Sequence, residues 1–289
     1  MSHIVLGTAQ FGLNYGINNV QGQVSLEDAA TILKEARHHD IDTLDTAIAY
    51  GNSEQRLGEI GLDGWQVITK LPPVPKDCPD VRSWILSSVE QSLLRLGTVR
   101  IHGLLLHQPA QLLTEHGDLI NSALVRLRQE GLVEKIGISI YDPSELAPIL
   151  SRYPVDLIQA PFNILDQRLI QSGWMDRLLE MGIELHARSI FLQGLLLMNS
   201  PERMRKFPRW RSLWTRYDNW LRETHRSPLE FCLAHALSHT AIHRVVLGID
   251  SPTQLREIVH AAKSPVLALP EDLSTSDVEL LNPSSWPKS

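Results

Sequence analysis

Cysteine is nearly absent from the 289 residues. Cys78 lies in a Pro-rich loop and Cys232 in an expected helix, too few for a disulfide framework or a zinc site, so both are expected to be free thiols. No stretch approaches the roughly 18 consecutive apolar residues of a membrane span. The start, MSHIVLGTAQ, has no basic region followed by an apolar run and a cleavage site. A cytosolic protein with no membrane partner is expected. No terminal arm is rich in Lys or Arg, and the net charge of −6 is spread over many helices, which argues against nucleic acid as a partner. Also missing is the G-x-G-x-x-G turn that would follow the first strand of an open dinucleotide-binding sheet; the turn here reads GTAQFGLNYG.

What is present is a chain that is 43% hydrophobic and 21% charged, enough to bury a large core. Short Val-, Ile- and Leu-rich runs alternate with longer segments whose apolar residues have helical spacing, the pattern of parallel strands joined by helices. The runs are IVLGT from Ile4, IDTLD from Ile41, WQVITK from Trp65, IHGLLLH from Ile101, VEKIGIS from Val133, VDLIQA from Val155, IELHARS from Ile183 and HRVVLGI from His243. Helices are expected near 26–38, 53–60, 80–96, 112–130, 143–151, 167–181, 228–240 and 252–262. Three starts, at Asp142-Pro143-Ser144-Glu145, Ser227-Pro228-Leu229-Glu230 and Ser251-Pro252-Thr253-Gln254, combine an N-cap, a proline at the first helical position and an acid or amide at the third. Eight such pairs without a Gly- or Pro-rich linker predict one domain over residues 1–289, a (β/α)8 TIM barrel that closes and so leaves no edge strand. An open doubly wound sheet is the second choice.

Residues 198–226 exceed a minimal barrel and form an aromatic and basic helical insertion after the seventh strand. It carries Arg203, Arg205, Lys206, Arg209, Arg211, Arg216, Arg222 and Arg226, with Trp210, Leu213, Trp214, Tyr217 and Leu221 on one helical face. Three roles are open: a helix that covers the barrel mouth or wall, a lid that grips a substrate or cofactor, or a nucleic-acid or membrane surface, against which Asp218 and Glu223 interrupt the charge.

In such a barrel the chemistry collects where strands end and βα loops begin. Asp45 ends the second run, Tyr50 follows in the next loop, Lys70 ends the third and His107 the fourth. Carbonyl reduction requires a proton for the oxygen and stabilisation of its transient negative charge. Tyr50 can supply the proton, Lys70 can make the phenol more acidic, Asp45 can hold the lysine charged, and His107 can hydrogen-bond the oxygen. A Schiff base on Lys70, the chemistry of a barrel lyase, is the competing reading. His235 and His239 lie four apart on an expected helix, but two histidines without a third ligand predict no metal site.

The segments DTAIAYGNSE from Asp45, ITKLP from Ile68 and LLLHQP from Leu104 resemble, in order and spacing, the three tetrad motifs of the aldo-keto reductase superfamily. The likeness continues through GISIYDP from Gly137, LIQAPFNILDQR from Leu157, ARSIFLQGLL from Ala187 and VLGIDSPTQL from Val246, nearly the whole chain. This resemblance implies reduction of an aldehyde or ketone, sugar-derived carbonyls among them, with NADPH as cofactor. NADH stays open, as does a slow-turnover regulatory or redox-sensing module that only binds the cofactor. By the same resemblance Ser139 and Gln159 would hold the nicotinamide carboxamide. Ser189, Gln193 and Gly194 would surround the pyrophosphate, Gly248, Ser251 and Gln254 would form the last phosphate-binding segment, and Glu257 would approach the adenine.

Three positions depart from the family pattern. Ile140 replaces an Asn that contacts the nicotinamide, and Arg188 replaces a Tyr that stacks on it, a role a planar guanidinium can also fill. Gln254 and Ile258 stand where Arg and Asn grip the 2′-phosphate and the adenine, so a preference for NADPH comes from the family and not from these side chains.

Overall fold

The computed structural model describes residues 3–17, 19, 22–266 and 268–286. Eight parallel strands pair in chain order, and the last closes on the first to make a barrel. They are β1 (Ile4–Gly7), β2 (Thr43–Asp45), β3 (Gln66–Leu71), β4 (Ile101–Leu106), β5 (Val133–Ser139), β6 (Leu157–Pro161), β7 (Glu184–Arg188) and β8 (Arg244–Gly248). The closing register sets Gly7 beside both Asp45 of β2 and Gly248 of β8. Helices surround the sheet, consistent with the expected TIM barrel.

Alternation along each strand separates two cores. Outward residues such as Leu104, Ile138, Leu185 and Leu247 pack under the helices in one continuous cluster. Inward residues Ile68, Leu105 and Leu157 form a separate small cluster within the barrel. They fill its axis so completely that a Cβ on Gly137 would lie 2.4 Å from Leu105. Two residues further along the same strands, on the same inward side, stand Lys70, His107 and Gln159. The apolar plug is therefore the floor on which the polar site rests. Towards the N-terminal side, buried His186 bonds Glu184 at 2.8 Å, and half-buried Glu184 pairs with Lys135, away from the end of the barrel where chemistry collects.

Most helices lie where their caps predict. Leu26–His38 starts with Ser25 accepting from Asp28 N, and Val81–Leu96 starts on the Asp80 carboxylate and ends at Gly97 in the left-handed region. Pro228–Leu237 has the full capping box at Ser227 and Glu230. Elsewhere the observed elements are shorter. The segment expected as one helix over 112–130 begins as a 3-10 turn, Pro109–Leu113, and becomes α-helical only at Gly117–Gln129. The segment 167–181 is split into Arg168–Gln171 and Trp174–Glu180 by Gly173 at φ 72. At Pro252–Ala261, Ser251 caps Gln254 N as expected, but the Gln254 side chain reaches past Ser251 to accept from Asp250 N at 2.6 Å, so no capping box forms.

The insertion forms helices Ser200–Lys206 and Arg211–Thr224, and its aromatic stripe faces inward. Leu213, Trp214 and Tyr217 are buried, with Trp214 donating to Phe207 O and Tyr217 to Leu196 O. Much of the basic excess is neutralised within the fold. Arg203, 1% exposed, pairs with Asp218 and lies 4.8 Å over the Tyr217 ring. Arg209 pairs with Asp277 and Glu279, Arg216 with Asp272, and Lys206 with Glu202.

Candidate active site

A cavity of about 480 Å³ opens at the C-terminal ends of the strands. Asp45, Tyr50, Lys70 and His107 all line it, so the four expected catalytic residues come together. Lys70 is 1% exposed and donates to Asp45 Oδ2 at 2.6 Å and to Thr46 O at 2.9 Å. The other carboxylate oxygen of Asp45 accepts from Gln159 Nε2 at 2.7 Å. Gln159, expected against a cofactor amide, is thus also a clamp on Asp45. The Tyr50 and His107 rings meet edge to face with centroids 5.9 Å apart, and Lys70 Nζ is 5.2 Å from the Tyr50 ring centre.

Tyr50 is positioned by the chain around it. Gly12 and Gly51 press backbone to backbone, since a Cβ on Gly12 would come within 1.8 Å of Tyr50 O. The helix that follows, Ser53–Ile60, is anchored by Glu54, which is buried and accepts from Thr69 and Ser92 at 2.7 Å and from Arg95 at 2.8 Å. Thr69 precedes Lys70, so one carboxylate ties the tyrosine loop to the lysine strand.

The electrostatics differ from the expectation in one respect. Burial and the Asp45 carboxylate push the Tyr50 phenol above its ordinary range, and the cation that opposes them is Arg188, not Lys70. Lys70 hydrogen-bonds away from the phenol, and burial lowers its own pKa against the pull of Asp45. The phenol therefore stays protonated, as a proton donor must. Burial, then Lys70 and Arg188, lower His107 to about 4, so its imidazole is neutral near pH 7.

Ser139, Gln159, Arg188, Ser189, Gln193, Gly194, Gly248 and Gln254 also line the cavity. The Arg188 guanidinium is fixed by Ile140 O at 2.8 Å and Ser189 Oγ at 3.1 Å and lies 4.7 Å over the Tyr141 ring. Ile140 is fully buried, and its neighbour Tyr141 is on the cavity wall. Ser251 and Glu257 are not among the residues lining the cavity: Ser251 caps its helix, and Glu257 is exposed on the surface of that helix. Ile258 is fully buried and offers nothing polar to an adenine. His235 and His239 pack on Phe162 in the core, and no cluster of metal-ligating side chains occurs among the described residues.

Several wall residues have no motif to announce them. Gln10 and Tyr15 come from the loop after β1, Asp250 from the loop after β8, and Asn282 and Ser284 from the C-terminal segment. The β1 loop is tied across the mouth to the β7 loop, because Ile17 N donates to Gln193 O at 3.2 Å and Gln193 Nε2 to Tyr15 Oη at 3.1 Å. The run LNYG carried a hint in its one aromatic, but nothing local told which loop it would meet. The insertion contributes no residue from 198–226 to the wall, and it reaches the β1 loop beside the mouth through Lys206 Nζ, which donates to Ile17 O at 3.3 Å.

A closed parallel barrel with acid–base groups gathered at its C-terminal face is the plan of a large class of enzymes. Residues 3–271 match the aldo/keto reductase family, and the chain belongs to it. Oxidoreductase YdhF of Escherichia coli is 32% identical over 117 residues, 40% of this chain and 39% of that protein. D-threo-aldose 1-dehydrogenase of a Pseudomonas species is 28% identical over 298 residues, 87% of this chain and 89% of that one. Among solved structures, the holo form of aldo-keto reductase AKR11C1 from Bacillus halodurans superposes with a TM-score of 0.73 at 23% identity, over 92% of this chain and 88% of that one. This is an oxidoreductase of the aldo/keto reductase family.

The wall also suits a nicotinamide dinucleotide. Ser189, Leu192, Gln193 and Gly194 all have φ between 47 and 90, so the β7 loop turns tightly, and Ser189, Gln193 and Gly194 meet the cavity, where Gly194 permits close approach of a ligand. Buried polar atoms of Gln10, Arg188 and Asp250 on the same wall lack partners among the described residues, as expected of groups meant for a ligand.

Proposed function

We propose that residues 1–289 work as one domain that reduces an aldehyde or ketone with a nicotinamide dinucleotide. Asp45, Tyr50, Lys70 and His107 would be the catalytic residues. The observation that carries this reading is the meeting of Tyr50 and His107 above the Lys70–Asp45 pair, at 5.9 Å between rings and 2.6 Å within the pair.

When bound, the dinucleotide supplies a hydride to the carbonyl carbon. The protein's part is to bind, orient and move a proton. Neutral His107 donates one hydrogen bond to the substrate oxygen and fixes its direction. Tyr50 Oη then delivers the proton to that oxygen as negative charge grows on it. A phenol held above its ordinary pKa is a reluctant donor in the resting site. Growth of negative charge on the oxygen, close to the cations Lys70 and Arg188, makes the transfer favourable at the moment it is needed. Asp45, clamped by Gln159, keeps Lys70 in place and charged against the cost of burial. Ser139, Gln159 and Arg188 would hold the nicotinamide, and the β7 loop the phosphates.

The family resemblance points to NADPH. The residues just named bear only on the end of the cofactor that NADPH and NADH share. The named action of the Pseudomonas relative on an aldose favours a sugar-derived carbonyl as substrate.

Tyr50→Phe keeps the ring and removes the proton. It should leave folding and dinucleotide affinity nearly unchanged while lowering kcat about 100-fold or more in a panel of aldehydes and ketones. Lys70→Met should lower kcat similarly, and the double variant should lose little more, because both serve one step. An unimpaired Tyr50→Phe enzyme would defeat the mechanism. Trapping of substrate on Lys70 by borohydride would replace it with lyase chemistry.

A further inference from the structure

The cavity is electrically lopsided. At the end built by β3 to β7 it holds two cations, Lys70 neutralised by Asp45, and Arg188 for which no carboxylate partner occurs among the described residues. The other end, around the tip of β8, is walled by Gln10, Gly248, Asp250, Gln254, Asn282 and Ser284. Not one of these is a cation, and the single charge is the Asp250 carboxylate.

Asp250 is held for recognition and is not otherwise employed. Its backbone N–H is fixed by Gln254 Oε1 at 2.6 Å, yet its carboxylate Oδ1 is buried without a hydrogen-bond partner. A second acceptor, Gln10 Oε1, is also buried and unpartnered, and the Gln10 amide lies so near Gly248 that a Cβ there would sit 2.3 Å from it. Gly248 thus leaves room for Gln10 to reach the cavity. The Asp250 carboxylate only accepts, so it calls for a ligand that presents donors, such as hydroxyls, while the Gln10 amide across the glycine can accept or donate.

The course of a dinucleotide through this cavity puts a ribose there. Phosphates in parallel barrels settle at the loops after the seventh and eighth strands, and here Ser189, Gln193 and Gly194 of the β7 loop line the cavity. With one arm of the diphosphate directed to Ser139 and Gln159, the other runs past β8. We infer that the β8 end of the cavity receives the 2′,3′-diol of the adenosine ribose through Asp250, and that this protein takes NADH in preference to NADPH. A 2′-phosphate, carrying close to two negative charges and only acceptors, would face a carboxylate with no Lys or Arg on the cavity wall beside it, whereas a 2′-hydroxyl donates to Asp250 Oδ1. The inference rests on the dinucleotide-dependent function proposed above and refines the family expectation of NADPH.

The test is equilibrium titration of the whole protein with NADH and with NADPH, without substrate, followed by tryptophan fluorescence or calorimetry. NADH should bind about tenfold tighter or better. Asp250→Ser should shrink that ratio towards one by weakening NADH and strengthening NADPH. Equal or tighter NADPH binding by the unaltered protein would overturn the inference while leaving the proposed reduction intact. An unchanged ratio in Asp250→Ser would also overturn it. Failure of the folded protein to bind either dinucleotide would overturn both. The ratio for the unaltered protein stands even where the variant does not fold, and adenosine 5′-diphosphate competing better than its 2′-phosphorylated form would support the same conclusion.

Discussion

Arg188 is the residue whose environment says most about how this site would receive a ligand. Its guanidinium is immobilised by Ile140 O, Ser189 Oγ and the Tyr141 face, so it meets a ligand already ordered and loses little side-chain entropy on binding. Stacked against a nicotinamide it would contribute about 1 kcal/mol, so Arg188→Ala should weaken dinucleotide binding several-fold in a fluorescence titration. Unaltered affinity would remove Arg188 from the cofactor and leave it to the substrate side of the cavity. Its place at the end of β7 was legible in the sequence, as were those of Asp45, Lys70 and His107, because a strand's last inward residue follows from period-two counting. Its effect on Tyr50 was not. The phenol's pKa depends on burial and on a cation from a strand far along the chain, and neither is a local property.

At the scale of elements, the β1 and β2 loops act as a unit. Gly12 allows Tyr50 O to approach to a distance no side chain would tolerate, and Gly51 at φ 56 turns the chain beneath it. Gly12→Ala must push the Tyr50 loop outward. It should lower kcat about 100-fold, as a displacement of about 1 Å does, with a smaller change in dinucleotide affinity. A Gly12→Ala enzyme with normal kcat would show that the close contact is incidental. The insertion behaves oppositely, as a structural element placed beside a functional one. Arg205→Gln, Lys206→Gln and Arg209→Gln together should leave dinucleotide affinity and the KM of charged substrates unchanged, since no residue of 198–226 lines the cavity. Arg203→Met, by contrast, leaves half-buried Asp218 with Ser200 Oγ but no cation and removes the guanidinium from the buried aromatics; it should cost about 2 kcal/mol or more of stability, read as a lowered denaturation midpoint. The helical face of Trp and Tyr was visible in the sequence. That the basic residues would be matched by acids at 272–279 was not, because those partners arrive from the far end of the chain.

For the whole molecule, burial of histidine sets a pH limit. His235, 6% exposed and stacked on Phe162 at 5.3 Å, is lowered by burial, then by His239, to about 4 from 6.5. His107 is lowered to about 4 as well. Between those values the unfolded chain binds protons that the folded one refuses, so stability is complete above pH 6.5 and falls as the pH drops toward 4. His235 alone contributes a slope of up to about 1.4 kcal/mol per pH unit in that window. Melting temperatures measured across it should decline, and His235→Leu should flatten the decline; an equally steep curve in that variant would assign the acid sensitivity elsewhere. No helix among the described residues is long and apolar enough to cross a membrane.

The sequence by itself determined the order of strands, the helix starts capped by Asp142, Ser227 and Ser251, and which residues stand at strand ends. Hydrophobic period, capping and turn chemistry act between residues close in the chain and need no knowledge of the rest. The tertiary structure alone decided which loops converge. Barrel closure sets Gly7 beside Gly248, 241 positions apart in the numbering, and so brings Gln10 and Asp250 to one end of a cavity whose other end holds Tyr50. It also decided where charge is neutralised, on Arg203, Arg209 and Lys70, and where none of the described residues forms an ion pair with it, at Arg188 and Asp250. Those outcomes depend on dielectric, distance and the company of distant residues, and these come into being only when the eight strands close.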